Sequence, residues 1–196
     1  MAPTSPPARR SLFAAFWGVG GTAVMLGEGI YRLARTAIEN LTAAGVELSA
    51  GQTAFGAAWV AFIVYVEGYR AFQKRFSPRV VARALHLADH PRPLHVALAP
   101  LYVMALMHTT RRRLIGSWIL VAGIVAVILL VRALPPVWRG LIDAGVALAL
   151  AWGTAVMLIY FGKALAGRPM PVGPDLPGED VARAARPAES SGSAVR

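Results

Sequence analysis

Apolar and polar positions along this chain fall into long blocks rather than into a short repeat. Leu12–Tyr31 is almost uniformly apolar, and a second apolar stretch runs from about Thr53 to Phe72. A third, Leu114–Leu134 (LIGSWILVAGIVAVILLVRAL), is rich in Ile, Val and Leu and carries one arginine near its end. Pro135 and Pro136 interrupt it, because a proline ring cannot continue a helix, and a fourth block, Val137–Phe161, follows at once. At a rise of about 1.5 Å per residue, roughly 20 such residues cross a hydrocarbon layer of about 30 Å. The pattern predicts an all-α integral membrane protein with four transmembrane helices, at about 12–31, 53–72, 114–134 and 137–161. The last two form an antiparallel hairpin.

The loop 73–113 between the second and third blocks has a different texture. Ser77-Pro78 is a helix start, with serine as cap and proline in the first turn. Arg79, Arg83, His86 and His90 then fall on one stripe, while Val80, Val81, Ala84, Leu85, Leu87 and Ala88 fill the remaining circumference up to Pro91. This predicts an amphipathic helix on the cytoplasmic membrane surface with its arginines reaching lipid phosphates; docking against the protein's own spans or a partner is the alternative. Leu94–His108 (LHVALAPLYVMALMH) is apolar but contains Pro100 and is shorter than a usual span, which suits a re-entrant or interfacial helix.

Charge orients the chain. With the N-terminus in the cytoplasm and Leu94–His108 not spanning, Arg9, Arg10, Arg70, Lys74, Arg75, Arg79, Arg83, Arg92 and Arg111–Arg113 all face inward. Only Arg32, Arg35, Arg132 and Arg139 stay outside, in line with the positive-inside bias. Both termini are then cytoplasmic, in a bacterial-type inner membrane. Arg9-Arg10 has the outline of a twin-arginine export signal, but the following residues do not fit it and the apolar run continues past Ala23, so the first span is expected to stay.

Composition supports the membrane class. Hydrophobic residues make up 56% of the 196 and charged residues only 15%, with mean hydropathy +0.53, whereas a soluble domain is about 25% charged. The formal charge of +10 comes from 20 Lys+Arg against 10 Asp+Glu. Those cations flank apolar spans, which points to anionic lipid headgroups rather than nucleic acid. Without cysteine there are no disulfides, thiolate metal sites or cysteine nucleophiles. The Pro-rich residues 1–10 and the Pro/Gly/Ser-rich 166–196 lack the large apolar residues needed to fold, and are expected to be disordered.

Three carboxylates lie within or beside the spans. Glu67 sits about one turn before the basic cluster, where Arg70 or Lys74 can neutralise it and Tyr65 and Tyr69 can anchor the interface. Glu28 stands four residues before Arg32, and Asp143 four after Arg139. GEGIYR in the first span echoes VEGYR in the second, but in antiparallel helices the two glutamates are expected near opposite membrane faces. His86 and His90 share a helix face near Asp89, yet no H-E-x-x-H motif is present, so neither a metal nor another cofactor is expected. GVGGTAVMLGEG has no preceding strand and no phosphate-binding lysine, which excludes a nucleotide loop.

Packing signals are clearer. Gly145, Ala149 and Gly153 recur every four residues in the last span, as do Ala14, Gly18 and Thr22 in the first. Such small-residue ridges let helices approach closely, within one chain or between copies. The leading functional expectation is a non-catalytic protein that binds or organises lipids or membrane subunits. A transporter or channel subunit using Glu28, Glu67 or Asp143 is second. An enzyme on lipid-like substrates, using His86, His90, Asp89 and Glu67, is third.

Overall fold

The computed structural model describes residues 11–107, 111–169 and 171–173. Among these, all regular structure is helical, and no strand occurs. The elements are α1 (Leu12–Leu41), α2 (Ala50–Ile63), a π-helical stretch (Val64–Phe76), α3 (Ser77–Asp89), α4 (Pro93–Ala97), α5 (Ala99–Val103), α6 (Arg111–Arg132) and α7 (Pro136–Leu165). Residues 1–10 and nearly all of the predicted tail lie outside the described residues. Among the described residues, three helices are long and apolar enough to cross a membrane: α1, the Leu114–Arg132 part of α6, and α7.

The block predicted as a second span over 53–72 differs from a plain α-helix. Ser49 starts it with a capping box: its Oγ accepts from Gln52 N at 3.2 Å, and Gln52 Oε1 accepts from Ser49 N at 2.9 Å, so two orphan donors are satisfied reciprocally. At Val64 the winding loosens to π-helix and returns to α at Ser77. Ile63, Val64, Phe76 and Ser77 all keep right-handed helical dihedrals. Ala50–Asp89 is therefore one uninterrupted rod.

Helix α7 is the centre of the bundle. On one flank α1 runs antiparallel to it, with Gly140 against Asn40 and Leu41 at one end and Phe16 edge-on to Phe161 at the other, ring centroids 5.1 Å apart. On another flank the rod runs parallel to it, from Gly56 beside Leu141 to Phe72 beside Gly153. Ser77 Oγ donates to Gly153 O at 3.1 Å, and Ser11 N donates to Ala88 O at 2.7 Å, which ties the start of α1 to the end of the rod. The main buried cluster gathers at that end, built from Ala14, Val19, Val81, Leu87, Val103 and Met157 among others.

One element departs from the leading sequence expectation, in favour of its alternative, docking against the protein's own helices. Helix α3 is not a surface helix: Val80, Val81, Ala82, Arg83, Ala84, Leu87 and Ala88 are all buried, between α1, α5 and α7. The physical reason is that its alanines let neighbours close in on several sides, including the side that carries the cations. Helix α6 is the opposite case. Of its described side chains only Val131, at the hairpin end, is buried, and Ile115, Trp118, Ile119, Val125, Ile128 and Leu130 stand exposed.

Candidate functional site

The cationic stripe resolves into residues with different surroundings. Arg83 is only 1% exposed, so it cannot reach a headgroup, contrary to the sequence expectation. Its Nε donates to Tyr102 O at 2.7 Å and its Nη2 to Met107 O at 3.1 Å. The guanidinium also stands over the Tyr102 ring, 4.4 Å from the centroid. A buried charge is tolerated only with such partners, and the ring face adds an attraction of the cation–π kind. Arg79 and His86 are half-buried and His90 is exposed. The His86 and His90 rings stack at 4.6 Å. Among the described residues no group of three or more His, Asp or Glu is placed to hold a metal ion.

What covers Arg83 is the short segment around α4 and α5. Trp17 Nε1 donates to Ala97 O at 3.4 Å where the segment meets α1. Pro100 then lies on Gly21, and Ala99 and Val103 lie on Gly18. The segment reaches its furthest point along α1 at Pro100, has turned back by Val103, and does not run the length of the bundle. Gly18 makes this seat possible, since a Cβ there would come 2.9 Å from Val103 Cγ1. Buried Ala14 and Thr22 lie one turn to either side of it, and Thr22 folds its Oγ1 onto Gly18 O at 2.8 Å.

The α7 ridge faces the rod. Gly145 lies under Trp59 and Ile63, Ala149 O is 3.5 Å from where a Cβ of Gly68 would sit, and Gly153 lies under Phe72. Trp59 Nε1 donates to Ile142 O at 3.2 Å, and Trp152 Nε1 to Gln73 Oε1 at 3.0 Å. These hydrogen bonds flank the ridge and fix the rod's register on α7.

The three carboxylates are separated. Glu28 and Arg32 form an exposed pair at 2.6 Å. Asp143, 6% exposed, lies 3.5 Å from Arg139 Nε, an ion pair too poorly aligned to count as a hydrogen bond for that nitrogen. Glu67 is exposed, and among the described residues no ion pair joins it to Arg70 or Lys74. Lys74 stands over the Tyr69 ring instead, 4.6 Å from its centroid. The π-helical winding accounts for this arrangement, because i→i+5 bonding widens each turn. It carries Arg70, three residues on, off the face it would share with Glu67 in an α-helix, and brings Lys74, five residues on from Tyr69, over that ring.

Depth also departs from expectation. Gly68 packs against the middle of α7, so Glu67 lies halfway along the bundle and the rod continues well beyond it. Glu28 is midway between the α1 residues that meet the two ends of α7, Phe16 and Asn40. The two glutamates therefore share one level on different flanks of α7, not opposite ends. Their depths depend on helix offset, which the sequence echo does not encode.

Sequence reasoning missed Tyr102, Trp17, Trp59 and Gln73 as the partners that organise these sites. Only Arg83 carried a signal, a charge between Val80-Val81 and Leu87 in an otherwise apolar helix. The fold and its polar contacts define an all-helical protein with three apolar helices of membrane-crossing length among the described residues. No protein-family model, curated protein or solved structure matches the chain.

Proposed function

We propose that this is a four-span inner-membrane protein, with both termini cytoplasmic, that binds or organises anionic lipids or other membrane subunits. The observation that carries the reading is α6: a membrane-length apolar helix that, among the described residues, touches little but the start of α7. Such a surface is stable only in hydrocarbon or against another membrane helix. Lys74, Arg75 and Arg92 are exposed on the rod beyond its middle and on the loop after it and are the cations best placed for phosphate headgroups, in place of the buried Arg83. A second copy of the chain is one candidate subunit, with α6 at the interface.

Topology reporters test the frame. Fusions after Arg113 and at the C-terminus report cytoplasm, and one at Glu47 reports the outside. An external signal after Arg113 overturns the four-span topology. Lipid analysis of the protein purified in mild detergent tests the role, and retention of anionic lipid no greater than its share of the membrane argues against it. A second reading, a transporter or channel subunit, is favoured by one observation. Glu67 is a mid-bundle carboxylate on a π-helical stretch, without an ion-pair partner among the described residues, and intramembrane carboxylates and π-bulges both concentrate at functional sites.

A further inference from the structure

The α4–α5 segment is held by an unusual combination of contacts. Its seat on α1 is made by Gly18 and Gly21 against Ala99, Pro100 and Val103, with Ala99, Tyr102 and Val103 buried, while its outer side leaves Leu94, Leu98 and Leu101 exposed. It ends in a left-handed residue, Ala105 at φ 59°, closed locally as a helix C-cap: Leu106 N donates to Leu101 O and Ala105 N to Tyr102 O, each at 3.1 Å, the Schellman pattern. On either side of that residue stand the two carbonyls, Tyr102 O and Met107 O, that accept from Arg83. One planar guanidinium thus bridges the end of α5 and the turn after it, while its face covers the Tyr102 ring. His95, from α4, stacks on the same ring with centroids 5.0 Å apart.

We propose that Arg83 is a latch: it holds Pro93–Met107 as a displaceable strap on α1, so that losing the guanidinium releases the strap and leaves the frame of α1, the rod and α7 intact. A fork of donors spans two carbonyls that belong to successive turns of chain, which neither a single ammonium nor an amide can do in the same way. The frame has its own contacts at Gly56, Gly145 and Gly153, none of which involves Arg83. The proposal rests on this packing and not on the four-span topology.

The absence of native cysteine makes the test direct. Three single-cysteine variants of the full-length, detergent-purified protein are compared: Val103→Cys, buried in the strap's seat; Ile63→Cys, buried in the frame; and Leu98→Cys, exposed on the strap. Each is read by its rate of maleimide labelling with native Arg83, with Arg83→Gln and with Arg83→Lys. The expected result is that Arg83→Gln speeds labelling at position 103 by about ten-fold or more, the scale of losing a charged buried hydrogen bond. The thiol at position 63 stays protected, and the one at position 98 labels fast throughout. Arg83→Lys, which keeps the charge but not the fork, also exposes position 103. Unchanged protection of position 103 in Arg83→Gln overturns the latch. Exposure of positions 103 and 63 together also overturns it, because Arg83 would then hold the whole fold. Full protection by Arg83→Lys overturns the role of the fork and leaves only a charge.

Discussion

Gly145→Ala tests the packing of the rod on α7, because two effects of opposite sign compete there. In an open helix interior, replacing glycine by alanine stabilises by roughly 0.5–1 kcal/mol. At Gly145, however, the new Cβ would come 2.6 Å from Trp59 Nε1 and 3.0 Å from Ile63 Cγ2. The indole cannot retreat freely, since its N–H donates to Ile142 O at 3.2 Å, and moving it gives up that hydrogen bond. Overpacking costs about 1–3 kcal/mol and the lost hydrogen bond about 1 kcal/mol. Packing wins, and the net destabilisation is about 1–3 kcal/mol. For a chain of this size, each kcal/mol moves the thermal midpoint by about 2–4 °C.

Gly27→Ala is the matched control, a helical glycine of α1 with nothing within 4 Å of the added Cβ. It keeps only the helix gain and should raise the midpoint by about 1–4 °C. The assay is thermal unfolding of purified protein in one detergent, read by near-UV circular dichroism. Equal stability of Gly145→Ala and Gly27→Ala is the refuting result. The rod would then not be seated on the α7 ridge as described.

Two further substitutions address the carboxylates. Arg139→Leu removes the ion-pair partner of buried Asp143 and should destabilise by about 1–3 kcal/mol; adding Asp143→Asn should recover most of that loss, and a double variant no more stable than the single one would show that the pair is not coupled. Glu67→Gln breaks no ion pair among the described residues and should change stability by less than about 0.5 kcal/mol, while under the transport reading it abolishes ion or proton flux into proteoliposomes. Flux equal to that of the parent removes Glu67 from that reading.

Much of this protein can be read from its amino acids because the relevant forces are local. Blocks of apolar residues of fixed length are enough to place α1, α6 and α7, and Pro135-Pro136 is enough to divide the last two. Helical spacing alone brings Glu28 to Arg32 and Asp143 to Arg139. Four-residue spacing also marks Gly145, Ala149 and Gly153 as one face, although not which helix lies on it. That partner, the rod, is settled by side chains distant in sequence, Trp59, Ile63 and Phe72, and by the close approach at Gly68.

The amphipathic pattern of α3 is a different matter, because a cationic stripe reads the same whether it faces phosphates or carbonyl oxygens. Arg83 on that stripe is covered by the fold-back of Pro93–Met107, which sets two carbonyls against it. The level of Glu67 likewise follows from how the rod is offset along α7 and from the widened π turn. Spacing along a helix determines which residues share a face. Only the packing of one helix on another determines what that face meets and how deep it lies, because those contacts join residues that no local rule connects.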